Sequence, residues 1–369
     1  MPRPRLRTWD LPTRLLHLLL LAGVATAWLT AGDARRLDLH VAAGLLVGLV
    51  LLLRLAWGLV GTEHVRWRAF AVPWRRVRAH ARGLLDGTAP RLMGHNPVAA
   101  WAMLAGLGLL AAITITGLLV QGGEEQEGLL AGRLPVGAGI ALHAPHELLA
   151  QVLLGWIALH LAGVLKESLR TRENLPLSMV HGYKRPEPGA REVAARGGVA
   201  LAGLALVALA CAGPLAPPRE DSAEAPAAVV QDPLFEAECG ACHEAWHPSL
   251  LPARSWVLMM ASQADHFGED LLLSPEVAGR VQDFLVRHAA ELTETEAAWR
   301  VARLTPPEDS PLRITQTPMW VEAHRTLPES TFQAEPVRSP NRCAACHEDA
   351  ATGAFANRAI HPPDDMELP

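Results

Sequence analysis

With 369 residues, a formal net charge of −5 and half its residues hydrophobic, the chain has room for two or more units and is too apolar for an ordinary soluble protein. A small single domain is excluded, and the acidic balance gives no surplus of cations for a nucleic-acid partner; none is expected. The average hides a split, because the charge count is about +9 up to residue 215 and about −14 beyond it.

Five apolar segments follow in chain order, at about 15–32, 39–60, 97–120, 140–165 and 198–215. A hydrocarbon core of about 30 Å needs roughly 20 helical residues, so the middle three qualify easily and the first and last are marginal. The first also fits a cleaved signal peptide, with Arg3, Arg5, Arg7 and Arg14 before a short apolar run and Ala25-Thr26-Ala27 near its end. Against that reading, the run carries a histidine and another span follows at once.

Arginine and lysine set the orientation. The N-terminus and the loops at 61–96 and 166–197 hold about nineteen of them, the alternate loops about three together with the acidic run Glu124, Glu125 and Glu127. The N-terminus is therefore expected in the cytoplasm, and five crossings put the acidic C-terminal half in the periplasm, as a multi-pass protein of the bacterial inner membrane. The 61–96 loop, with Trp67, Trp74 and many arginines, reads as a positive-inside loop or an interfacial segment. Residues 216–230 are rich in Pro, Ala and acid and read as a linker. The expected domains are 1–185, membrane; 186–230, fifth span and linker; and 231–369, periplasmic.

Four of the five cysteines fall in two identical frames, CGACH with Cys239, Cys242 and His243, and CAACH with Cys343, Cys346 and His347. C-x-x-C-H attaches haem c: two thiols form thioethers and the adjacent histidine is an axial ligand. One match could be a zinc or redox pair, but two in one domain, on the side where bacterial c haems are attached, argue for two covalent haems. Disulfides are the other alternative, and histidine directly after each second cysteine makes a poor framework for them. Cys211, in the last span, reads as a buried thiol, since Ala208 stands where a lipobox needs an aliphatic residue.

Each c iron needs a sixth ligand unless it binds gas. The candidates are His247, His266, His288, His324 and His361, with Met259, Met260 and Met319. The stretch RSWVLMMASQADHFGED has helical period ending near Gly268, which would hold His266 at a helix end, and the two adjacent methionines read as core packing.

Ionisable side chains inside spans are costly and mark cofactor or proton sites. His17, His40, His146 and His160 qualify. In the inferred orientation His17 and His160 share one depth and His40 and His146 the other, as two bis-histidine haem b groups stacked in a four-helix bundle require. Fourteen helical steps put His146 and His160 roughly 21 Å apart on nearly one face. Headgroup contacts or helix-packing hydrogen bonds are the alternatives. His143 competes with His146 for the outer position, while His64, His80, His95 and His181 fall in cytoplasmic loops.

These residues carry a resemblance. TWDLPTRLLHL at 8–18, LHVAAGLLVGLVLLLRLAWG at 39–58, GHNPVAAWAML at 94–104 and the HE…LH pair of the fourth helix resemble the bacterial cytochrome b561 family, which includes the b-type cytochrome subunits of nickel-iron hydrogenases. That resemblance implies a four-helix bundle with two b haems on the first, second and fourth helices, here at His17, His40, His146 and His160. CGACHEAWHPSLLPARSW, DHFGED, LRITQTPMW followed by EAHR, and NRCAACHEDAATGAF are similar to the periplasmic dihaem cytochrome c family. That family implies two histidines per iron, making His266 and His324 the distal candidates. It also implies association with b561-type cytochromes and with a small oxygen-binding haem protein.

The expected fold is all-α: a four-helix haem bundle, a fifth tethering helix and a mostly helical dihaem domain. The fifth helix has a duller account as an uncleaved signal sequence retained from a soluble cytochrome. The expected function is a tetrahaem electron-transfer protein linking membrane quinol to a periplasmic redox partner, without a catalytic residue of its own. Two other readings stay open, an anchor subunit for a periplasmic oxidoreductase and a five-coordinate, gas-binding c haem.

Overall fold

In the computed structural model, residues 5–32, 36–187, 189–212 and 232–363 are described, and they are almost wholly helical. The chain splits into two compact units. Met1–Ala31, Asp38–Gly117 and His143–Pro217 make the first; Gly32–Leu37, Leu118–Leu142 and Pro218–Pro369 make the second.

The first unit opens with strand β1 (Leu6–Arg7) and helices α1 (Leu11–Thr30) and α2 (Leu37–Val60). Asp10 explains where α1 starts. Its carboxylate accepts the Thr13 amide at 2.8 Å as an N-cap, and Pro12 lies within the first turn, where a missing N–H is harmless. The same carboxylate, fully buried, accepts from the Trp57 indole at 3.3 Å and from the Thr62 hydroxyl, so it ties the start of α1 to the end of α2. A cap alone is worth about 1 kcal/mol, and removing this one would also leave buried donors unpaired. Farther along, α1 and α2 approach closely at Gly23, where an added Cβ would lie 2.8 Å from Val47.

Short helices α3 (Trp67–Phe70) and α4 (Trp74–Leu85) follow; α4 buries Val77, His80 and Gly83 and turns its arginines outward. Then come α5 (Pro97–Gly123), α6 (Val136–Thr171), α7 (Leu175–His181), strand β2 (Tyr183–Lys184), antiparallel to β1 with Leu6 opposite Lys184, and α8 (Gly197–Ala212). Helix α6 runs through Pro145, which removes one ladder hydrogen bond immediately before His146.

Among the described residues four helices, α1, α2, α5 and α6, are long and apolar enough to cross a membrane. Helix α8 falls within the expected fifth span as far as the described residues reach. Its 16 described residues rise about 24 Å. Val207 of α8 packs with Leu16, Val50 and Trp57. The expected linker at 216–230 lies outside the described residues.

The second unit contains α9 (Pro233–Cys239), α10 (Ala253–Ala261), α11 (Pro275–Arg287), α12 (Glu296–Leu304), α13 (Pro318–His324) and α14 (Glu329–Gln333). Asp232-Pro233, Ser274-Pro275 and Thr317-Pro318 each pair a side-chain N-cap with proline at the first helical position, a start signal written in the sequence. Phe235, Leu251, Trp256, Met260, Val281, Phe284 and Leu285 form the core, with Met259 packed against it. Helix α10 stops at Ala261, short of the Gly268 that its period suggests. There the Ser262 hydroxyl bonds back to the carbonyls of Leu258 and Met259, and a single 3-10 turn over Gln263–Asp265 leads to His266. The acidic run belongs to this unit: Glu124 pairs with Arg300 at 3.3 Å, Glu127 with Arg358 at 2.6 Å, and Asn357 donates to Glu125 at 2.8 Å.

Candidate haem sites

In the first unit, α2 and α6 bring His40 and His146 together, with ring centres 6.2 Å apart. The second ring nitrogen of each is engaged. His40 Nδ1 meets the Ala27 carbonyl at 2.9 Å, and His146 Nδ1 meets the Thr116 hydroxyl at 3.0 Å. Both Nε2 atoms are thereby left for another partner. His143 points elsewhere: its Nε2 lies 3.6 Å from the Glu147 carboxylate, and half its side chain is exposed. On α1 and farther along α6, His17 and His160 are electrostatic neighbours, and His160 stacks on Trp156 with centres 5.2 Å apart and planes 7° from parallel.

The second unit repeats the pattern twice. His243 follows the first cysteine pair, and its ring centre stands 6.2 Å from that of His266. His243 Nδ1 donates to the Glu244 carbonyl at 2.8 Å, and Trp246 stacks on the ring at 4.3 Å. His347 follows the second cysteine pair, 6.2 Å from His324, and Phe355 edges it at 5.1 Å. His324 Nδ1 donates to the Trp320 carbonyl at 2.8 Å while Trp320 stacks on it at 4.5 Å. The four thiols, Cys239, Cys242, Cys343 and Cys346, form no disulfide with one another.

Two imidazoles on opposite sides of one iron, with metal–nitrogen bonds of about 2 Å, place their ring centres about 6 Å apart. The pairs His40–His146, His243–His266 and His347–His324 match that spacing, so these residues fit the group. Iron-bound histidines commonly donate their other N–H to a carbonyl, which fixes the tautomer and the ring plane; His40, His243 and His324 are each set against a backbone carbonyl in this way. A cavity at His266 is lined by Met259, Phe267 and Leu312 together with Ser262 and Asp265, and Phe267 is about half exposed, at 49%. Burial lowers the pKa of His266, His324 and His347, keeping the imidazoles neutral and able to bind iron near pH 7.

Sequence reading alone did not find Thr116, the Ala27 carbonyl, or the stacked Trp156, Trp246 and Trp320. Only the tryptophans left a signal, each within four residues of a candidate histidine. His247 is near the site but has another role: it accepts the Ser249 amide at 3.3 Å and contacts the Ser249 hydroxyl at 2.8 Å. Burial, then the charge of His288, pushes its pKa down to about 4. Between about pH 6.5 and pH 4 the unfolded chain takes up a proton that native His247 refuses, so its contribution to stability is lost as the pH falls through that window. Melting temperatures at pH 7 and pH 4.5 should therefore converge in His247→Gln relative to the unsubstituted protein; an unchanged pH difference would refute the assignment.

Histidine pairs on long apolar helices and beside C-x-x-C-H frames are the donor set of a membrane haem protein. Residues 8–182 match the model of prokaryotic cytochrome b561 and residues 235–355 that of dihaem cytochrome c. The chain thus joins a cytochrome b561 region to a dihaem cytochrome c region, which imply haem b and haem c, in a multi-pass membrane protein. Its first region is 28% identical over 163 residues to a protein of Bradyrhizobium diazoefficiens described as "Probable Ni/Fe-hydrogenase B-type cytochrome subunit", covering 40% of this chain and 65% of that one. An Escherichia coli protein described as "Probable Ni/Fe-hydrogenase 1 B-type cytochrome subunit" is 27% identical, covering 40% of this chain and 68% of that one. The second region is similar to the solved dihaem cytochrome c from Rhodobacter sphaeroides at 39% identity, covering 34% of this chain and 98% of that one, with a TM-score of 0.30.

Proposed function

We propose that the protein carries two b haems and two c haems and moves electrons between quinol in the bacterial inner membrane and a periplasmic redox partner. The repeated 6.2 Å histidine spacing carries this reading. His17 with His160 and His40 with His146 would hold the b haems; His243 with His266 and His347 with His324 would hold the c haems. When bound, haem supplies one-electron chemistry, and its potential depends on ligation, burial and nearby charge. The chain's part is to fix spacing, keep imidazoles neutral and keep water from the rings.

The positive-inside pattern supports a cytoplasmic N-terminus with the dihaem region in the periplasm. With α8 as part of a fifth crossing, a tether would hold the two regions at high local concentration. A small oxygen-binding haem protein is a suitable partner class, given the company kept by dihaem cytochromes of this kind.

Haem stoichiometry tests the reading. Acid extraction removes haem b and leaves thioether-bound haem c, so two extractable and two covalent haems per chain are expected. Any other ratio overturns the four-haem assignment. Carbon monoxide added to the reduced protein should leave the c-haem spectrum unmoved, whereas a stoichiometric shift would mark a five-coordinate haem. The names of the hydrogenase relatives favour a second reading, in which the chain anchors a periplasmic oxidoreductase; recovery of a large catalytic subunit in pull-downs from native membranes would support it.

A further inference from the structure

Arg54 lies within α2 and is 6% exposed, yet among the described residues it has no carboxylate bonded to it. Its Nη1 is shielded from solvent and makes no hydrogen bond, and its Nη2 reaches only the Met103 sulfur at 3.9 Å. Asp10 is the acid that its charge feels, but that carboxylate is taken by Thr13, Trp57 and Thr62. The guanidinium lies 5.3 Å and 5.6 Å from the ring centres of Trp67 and Phe70, which accounts for its faces and leaves the in-plane Nη1 donor unused. A buried cation in a span calls for an anion.

Contacts from two sides place Arg54 beside one histidine pair. Val50, one turn earlier on α2, packs with Leu16, the neighbour of His17. Across the bundle, Met103 lies one turn from Gly106, where an added Cβ would touch Trp156 at 2.5 Å, and Trp156 stacks on His160. One turn is about 5.4 Å along the axis, so Arg54 sits just beyond the His17–His160 level, toward the end of the bundle where α1 begins. We propose that Arg54 binds a propionate carboxylate of the haem held by His17 and His160. The inference rests on the b-haem reading above. Haem b carries two propionates and no thioether anchors, and a planar guanidinium matches a carboxylate with two donors.

The test is redox titration of the purified full-length protein with Arg54→Gln and Arg54→Lys, each alone and combined with His160→Ala. A positive charge beside a haem favours the reduced state. Arg54→Gln should lower one b-haem midpoint and leave the other three haems unmoved, and Arg54→Lys should recover most of the shift. In the His160→Ala background, where the other b haem remains, Arg54→Gln should move nothing. If Arg54→Gln instead loses haem, loss of the same b haem that His160→Ala removes supports the site, and loss of both b haems overturns it. Unchanged midpoints with two b haems present, or a shift that persists in the His160→Ala background, refute Arg54 alone. Fewer than two extractable haems in the unsubstituted protein refute the b-haem reading, and the Arg54 proposal with it.

Discussion

His160→Ala is expected to remove half of the extractable haem and none of the covalent haem. His160 is held flat against Trp156 on α6 and is the electrostatic neighbour of His17 on α1; if the two share a haem b, loss of one leaves a single imidazole where the group needs two. Haem b has no covalent bond to fall back on, so loss of a ligand becomes loss of the group. His146→Ala should remove the other b haem, since His146 faces His40 and is oriented by Thr116. His143→Ala should remove neither, because its ring points to Glu147. Reduced pyridine spectra of the extracted and residual haem measure all three variants. Full haem b content in His160→Ala would sink the pairing, and haem loss in His143→Ala would move the outer ligand three residues earlier.

Replacing Cys343 and Cys346 by alanine should have a larger structural consequence than replacing Cys239 and Cys242. The first C-x-x-C-H frame begins at the last residue of α9, whose Phe235 belongs to the core of Trp256, Val281, Phe284 and Leu285. The second lies in a stretch of single 3-10 turns at Cys343–Ala345, Ala350–Thr352 and Asn357–Ala359, with Val337 and Ala350 as its buried apolar residues. Each 100 Å² of apolar surface covered by a macrocycle contributes about 2.5 kcal/mol, so haem would act there as the missing core. Limited proteolysis of the double variant should cut within 306–363 while 233–304 stays protected, with one covalent haem left. Equal resistance in both regions would show that the polypeptide holds this segment unaided. His324→Ala separates the roles, since it keeps the thioethers and should change only the coordination and spin state of that haem.

Much of this was readable before any coordinates. Hydropathy located α1, α2, α5 and α6 because a membrane-crossing helix must satisfy its backbone internally, and that leaves long uninterrupted apolar runs. The inside-outside assignment put His40 and His146 at one depth, and their ring centres lie 6.2 Å apart. Other features resisted for physical reasons. Helix α10 ends at Ala261 because a serine hydroxyl competes for backbone carbonyls, an effect that hydrophobic period does not register. Assigning His266 to the His243 site and His324 to the His347 site needs three-dimensional proximity, since both distal residues lie between the two cysteine frames. The Asp10 hub was hidden as well: TWDLP announces a helix start, but the Trp57 and Thr62 donors arrive from some fifty residues away.

The Nδ1 contacts of His40, His146, His243 and His324 bear on speed as well as ligation. Each ring is steered by its own polypeptide contact, three of them to a backbone carbonyl, before any iron acts on it. A ligand already held in place has little left to rearrange when the charge on the metal changes, so the nuclear reorganisation that slows electron exchange is kept small. In such a protein the rate of conduction would be written into helix ends and carbonyl positions, and distance alone would not determine it.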